Sequence, residues 1–424
     1  MEISFKNHSW LNKQQSQIKL GFEFFGKPIF PNKDQFDFHE IDGMWIALKV
    51  SDKKIEMIAD ACGSIRTYYK MNGNTLILFD TLNENEKLEK NKAGEDYFIE
   101  NGYFFGTDTI YKKIYRLPGL IFTEITNSEI TESDMFFKIS PPINNFKFDL
   151  NWFLKKSINN SNNQGVYLMF SGGSDSVCLA NSLNELNIEF KAIFFDDSKR
   201  ENDKIQAIKV AKNLNLDFEV VKLKIEDNLD CLIEKYQKFD KHYSKLHYYA
   251  AKELVIRYGE DINVINGQGS DSVLSFGPSE VSIQSFLKRI AIYSPFFLRI
   301  PINILLSIIY HKTLYLGLKN NQFYESFSSF KRYLFVNSKN NCFSYKRLVS
   351  SDGFLKSSNT AKLLSIKRLG FLMGSDNQVV INSLKSFNVD SIILPFSSLF
   401  MFRHSIYNVN RVKEIFLPKY LIKR

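Results

Sequence analysis

The segment Ser171-Gly-Gly-Ser-Asp-Ser176 joins two glycines, three serines and one carboxylate between a strand-like run at 166–170 and a helix-like run at 177–183. At a strand-to-helix turn, glycines let the backbone approach an anion while hydroxyls and free helix amides point at it. The segment therefore reads as a phosphate cradle. Asp175 would repel a bare anion, so its presence predicts a metal ion that bridges carboxylate and phosphates. For any single Ser/Gly-rich turn the alternative is an ordinary strand-to-helix connection, and the surrounding pattern argues against it.

The elements that must hold this loop are legible as alternating apolar strands and helices. A second strand is expected at 190–195, ending in Asp196-Asp197, then a helix near 202–214 and a third strand at 217–223. Such alternation predicts a parallel, doubly wound α/β sheet with its ligand at the carboxyl ends of the strands. A further apolar strand at 262–265 leads into Asn266-Gly-Gln-Gly-Ser-Asp-Ser272, a second turn rich in glycine with its own acid, Asp271. No G-x-x-x-x-G-K-[ST] arrangement occurs and no lysine enters the first loop, so this is not a Walker-type site.

The first loop resembles the SGGxDS pyrophosphate loop of the ATP pyrophosphatase superfamily, whose members cut ATP between the α and β phosphates and adenylate a substrate. The second resembles the GEGxDExFxGY segment of asparagine synthetases. Asp42-Gly-Met-Trp-Ile-Ala47 and the stretch at 59–69 look like the DGxFA and RDxxGxxPLYY segments of that family's amidotransferase domain. Segments 106–119 and 389–398 look like its domain exit and its EVRxPFLD segment, so the resemblance runs nearly end to end with thin identity between motifs. It implies an N-terminal layered Ntn-amidotransferase-like α+β domain, then an adenine nucleotide alpha hydrolase-like synthetase domain with added helices. It also implies ATP and Mg2+ as cofactors. Pyrophosphate would rest on Ser171, Gly172, Gly173, Ser174 and Ser176, Gly267 would lie beside the nucleotide, and Asp175 and Asp271 would hold the metal.

Three departures from the family pattern are as informative as the matches. Glutamine-using members carry a cysteine nucleophile at the processed terminus, activated by its own α-amine; here position two is Glu2, and none of Cys62, Cys178, Cys231 and Cys342 lies there. The expectation is a glutaminase half without activity, with nitrogen supplied by ammonia, another subunit or an amine in the substrate, as in the related β-lactam synthetases and lasso-peptide cyclases. Gln268 and Ser272 replace the acids of GEGxDE, and an amide orients by hydrogen bonding where a glutamate could move a proton. The segment 417–424 resembles the family's LPxxxxxRxK but stops at the arginine, leaving Lys419 or Lys423 as stand-ins for a lysine that stabilises developing charge, or a truncated reading frame.

Composition fits this reading without deciding it. A length of 424 residues allows two domains, placed at 1–143 and 144–424 because the prolines at 141–142 break regular structure there. The net charge of +9 is scattered, which favours solvated surface over a nucleic-acid partner. Four cysteines without C-x-x-C spacing, and a beginning without a basic-then-apolar run, predict a reducing cytoplasm. The apolar run at 291–310 is interrupted by Arg299, Asn303 and two prolines, so stable membrane insertion is not expected. The partners expected are a small-molecule or peptide carboxylate and an amine or ammonia donor, and a homodimer is compatible with the resemblance. Two other readings stand beside the ligase: a tRNA-modifying enzyme resembling thiolases and lysidine synthetases, and a catalytically impaired homologue that binds nucleotide or regulates a partner.

Overall fold

The computed structural model describes residues 2–5, 17–19, 21–30, 37–38, 40–80, 88–92, 94, 107, 109–119, 121–126, 129–134, 140–161, 163, 165–225, 244–270, 274, 286, 377–408, 413, 416–417, 419 and 421–422. Statements below concern these residues. Of the region 280–388, expected to be mainly helical, residue 286 and 377–388 are described, with a helix at Asn377–Lys385, and the apolar run at 291–310 lies outside the described residues. Among the described residues no helix is long and apolar enough to cross a membrane.

From residue 140 onward the alternation seen in the sequence becomes a five-stranded parallel sheet ordered β13-β12-β11-β14-β15. Its strands are β11 (Val166–Met169), β12 (Lys191–Asp196), β13 (Phe218–Lys222), β14 (Asn263–Ile265) and β15 (Ser391–Ile393). Side chains point alternately to the two faces of a strand. Leu168, Ala192 and Phe194 thus join one core, with α1 (Phe146–Asn159), α2 (Ser174–Glu185) and α3 (Glu201–Asn213). Ile193, Phe195 and Val264 join the other, with α4 (Lys245–Tyr258) and α5 (Asn377–Lys385). Helices on both faces explain why these strands read as nearly continuous apolar runs. The chain reverses direction of winding at β11, between β12 and β14, which is where such sheets open a crevice at their carboxyl ends.

The preceding residues form two sheets. One is antiparallel and six-stranded, ordered β10-β9-β5-β4-β3-β2: β2 (Gln17–Lys19), β3 (Phe22–Ile29), β4 (Asp42–Val50), β5 (Lys54–Ala59), β9 (Ile121–Thr126) and β10 (Ile130–Asp134). The other is ordered β1-β7-β6-β8, from β1 (Glu2–Phe5), β6 (Tyr68–Asn72), β7 (Thr75–Phe79) and β8 (Tyr115–Arg116). Phe25, Ile46 and Leu48 of the first share a core with Tyr69, Leu76 and Leu78 of the second.

This part is tied to the nucleotide-type sheet by polar contacts from the two motif segments. Asp42 accepts the amides of Leu399 at 2.9 Å and Phe400 at 3.2 Å, capping α6 (Leu399–Tyr407) from a distant part of the chain. Cys62 Sγ donates to Ser397 O at 2.9 Å, and Gln378 Nε2 donates to Ser64 O at 3.2 Å. Asp60 is buried and accepts from the amides of Trp45, Cys62 and Ser64 and from the Ser64 hydroxyl. Burial pushes its carboxyl up to about 6 against those donors. The native state keeps a proton there that the unfolded chain releases near 3.8, so this stabilisation is complete below that value and lost as pH rises through about 6. Urea unfolding of wild type and Asp60→Asn should therefore give a stability difference that shifts against the wild type from pH 4 to pH 6 and is level above about pH 7. A difference independent of pH would contradict this.

Candidate nucleotide site

The loop 171–173 leaves β11 and enters α2. Gly172 takes φ +72°, and a Cβ there would meet Ala207 Cα of α3 at 2.7 Å, so only glycine lets the loop lie this close to its neighbour. The N-cap of α2 is Gly173, which has no capping side chain, leaving the first amides of the helix for another acceptor. Ser171 Oγ lies 3.4 Å from Ser176 Oγ, and Ser176 Oγ donates to Gly173 O at 3.1 Å. Free amides, two hydroxyls and a positive helix end suit an anion. Asp175 sits in the first turn of the same helix.

The second motif meets the first. A Cβ on Gly267 would stand 3.2 Å from Asp175 Cβ, so the residue type itself permits the contact. Asn266 anchors this turn: its amide donates to Ile393 O at 3.1 Å, and its Oδ1 accepts the Gln268 amide at 2.7 Å. Ser171, Asp175, Ser176, Gly267 and Gln268 all border one cavity of about 270 Å3 at the carboxyl ends of β11 and β12. Gly172, Gly173 and Ser174 complete the loop beside it. Asp271 and Ser272 lie outside the described residues. Among the described residues no cluster of three metal-type ligands occurs.

The closest partner of Asp175 is Lys419. Its Nζ donates to Oδ1 at 2.9 Å, to Oδ2 at 2.7 Å and to Ser270 Oγ at 3.0 Å. Lys419 is 3% exposed and holds a left-handed φ of +58°, a costly backbone state for a lysine that recurs at functional sites. Of the two lysines considered as stand-ins, this one reaches the loop; Lys423 lies outside the described residues. Sequence spacing alone does not separate them, because the contact joins residues 244 positions apart; nearby, Ile422 packs into the core shared by α1 and α2.

Arg200 and His247 were not singled out by sequence reasoning, yet both border the cavity. Arg200 precedes α3 and its Nε lies 3.5 Å from Asp197 Oδ1. His247 lies in the first turn of α4, and burial with the Arg200 charge lowers its imidazole to about 4. It is neutral at physiological pH. Neither cysteine among the described residues is activated as a nucleophile: burial pushes the Cys178 thiol up to about 12, and that of Cys62 is well above its ordinary value for the same reason. Cys231 and Cys342 lie outside the described residues.

The residues present fit phosphate through the loop amides and hydroxyls. Asp175 offers the hard oxygen ligands that magnesium prefers, once Lys419 gives way.

The profile of the NAD synthase family matches residues 148–258, the stretch from α1 through α4 that carries the loop. That stretch is NAD synthase-like and falls in the ATP pyrophosphatase superfamily. No curated protein sequence matches the chain. Among solved structures, an NMN synthetase from Francisella tularensis is 17% identical with a TM-score of 0.23, over 30% of this chain and 55% of that one. An NH3-dependent NAD synthetase from Campylobacter jejuni in complex with nitrate is 18% identical with a TM-score of 0.22, over 34% and 69%. The predicted subunit of a tRNA methyltransferase from Methanocaldococcus jannaschii is 21% identical with a TM-score of 0.20, over 29% and 60%. The chain thus spans little more than half of the first of these.

Proposed function

We propose that this protein is an ATP-dependent amide-forming ligase of the asparagine synthetase type. It would adenylate a substrate carboxylate, releasing pyrophosphate, and pass the acyl group to ammonia or a substrate amine with release of AMP. The observation that carries this reading is the meeting of the Ser171–Ser176 loop and the Asn266–Gln268 turn at one cavity, with the Lys419 ammonium bonded to Asp175 and Ser270. The NAD synthase-like match over the loop supports ATP-dependent ligation, and the motifs outside it favour the asparagine synthetase branch.

In this reading ATP lays its β and γ phosphates on the loop amides and the Ser171 and Ser176 hydroxyls. Asp175 and Asp271 would hold magnesium, which when bound would supply positive charge against the leaving pyrophosphate. The Lys419 ammonium, next to the loop through Asp175, would stabilise the negative charge that grows at the α-phosphate as the carboxylate attacks. Gln268 orients the acyl group by hydrogen bonds and cannot serve as a base. Glu2, where glutamine-using members of the resembled family carry their cysteine, favours a nitrogen source other than glutamine hydrolysed by this chain. The domains would divide at 143/144, with the N-terminal part a degenerate amidotransferase-like domain.

The test is release of AMP and pyrophosphate from Mg-ATP against a panel of carboxylates, with ammonia, glutamine or no added amine. Turnover with ammonia or with no added amine, and none above that background with glutamine, is expected. The competing reading, a nucleotide-binding regulator, draws on the occupation of both Asp175 oxygens by Lys419. It predicts ATP binding without turnover under every condition.

A further inference from the structure

The cavity has two unlike ends. The phosphate loop follows β11, whereas Arg200 follows β12, the neighbouring strand, and His247 approaches from α4. The apolar lining comes from both faces of the sheet's edge, Phe170 and Phe194 from one and Ile193 and Phe195 from the other. A molecule with its phosphates on the loop directs its other end toward Arg200 and His247. Apolar lining of this kind suits a flat aromatic group better than a hydrated sugar.

Among the described residues His247 Nδ1 is buried without a hydrogen-bond partner. A buried polar atom left unmatched is costly, and a ligand that matches it recovers the loss. The nearby Arg200 charge and burial both keep the ring neutral, so it offers one donor and one acceptor and no net charge. This combination serves recognition of a neutral heterocycle better than capture of an anion. Asp197 holds Arg200 at the rim of the cavity.

We infer that His247 is a specificity-determining residue that hydrogen-bonds the base of the bound nucleotide. The inference rests on the nucleotide reading of the site and adds to it the residue that reads the base. Every other polar group named at the cavity lies on the phosphate loop, on the Asn266 turn or at the Arg200 rim.

Calorimetry on the full chain should compare Mg-ATP, Mg-2′-deoxy-ATP and Mg-pyrophosphate for wild type, His247→Phe and His247→Asn. His247→Phe should weaken ATP and 2′-deoxy-ATP alike, by about 5- to 100-fold, and leave pyrophosphate within about twofold. His247→Asn, which keeps a donor and an acceptor, should restore part of the loss. Wild type alone supplies a second measurement: of the ATP analogues that each lack one polar atom of the base, at least one should bind about tenfold more weakly. Equal ATP affinity in wild type and His247→Phe, a loss confined to ATP, or indifference to every base analogue would overturn the assignment. If wild type binds neither ATP nor pyrophosphate, the nucleotide reading itself falls and the assignment with it.

Discussion

Asp175→Ala should lose Mg-ATP binding by at least about 100-fold and abolish any turnover, because it removes the carboxylate that lies between the loop and the second motif and is proposed to hold magnesium. It should also cost stability. Lys419 is 3% exposed and gives its ammonium to both oxygens of Asp175 and to Ser270, so deletion of the carboxylate removes the bidentate anionic partner of a buried cation. Breaking a buried pair from one side typically costs about 3–5 kcal/mol. Asp175 keeps 24% of its side chain exposed, so a value of about 2–3 kcal/mol is expected in urea unfolding. The double variant Asp175→Ala/Lys419→Met should regain most of that stability without regaining ATP. A single variant that binds Mg-ATP as wild type does would remove Asp175 from the site.

Lys419→Met should have the opposite signature. Asp175 no longer shares its oxygens with an ammonium, so Mg-ATP affinity should hold or rise. Adenylation should slow by about 100- to 1,000-fold, the loss typical when one preorganised donor to developing charge is removed. Lys419→Arg should not rescue it. The pocket is built for a compact ammonium that donates to Asp175 and Ser270 at 2.7–3.0 Å, and a planar guanidinium presents its donors differently. Single-turnover formation of AMP separates the two effects. A normal rate with weakened ATP binding would make Lys419 a structural clamp on Asp175 and nothing more.

What the sequence disclosed follows from how local its causes are. The strands at 166–170, 190–195 and 262–265 and the helix near 202–214 announce themselves because a doubly covered parallel sheet requires apolar runs at that spacing. The loop was legible because glycine is demanded at Gly172 by a positive φ and by the proximity of Ala207. Arg200 and His247 were not legible: one is a single polar residue in an ordinary strand-to-helix connection and the other in an ordinary helical stretch, and only the packing of α3 and α4 against the sheet brings them to the cavity. Lys419 lay between these cases. It belongs to a segment that resembles a known motif, but its residue position differs from that of the family's lysine, and only three-dimensional closure brings it to Asp175. The ties from Asp42 to α6 and from Ser64 to α5 join residues more than 300 positions apart, which no local pattern encodes.

The central claim, that the loop holds ATP for cleavage between the α and β phosphates, is tested most directly by the products of turnover. Wild-type protein incubated with Mg-ATP, ammonia and the carboxylate panel should give AMP and pyrophosphate in equal amounts, absent in Asp175→Ala. Formation of ADP and phosphate, or no nucleotide product from folded protein that binds ATP, would contradict the ligase account.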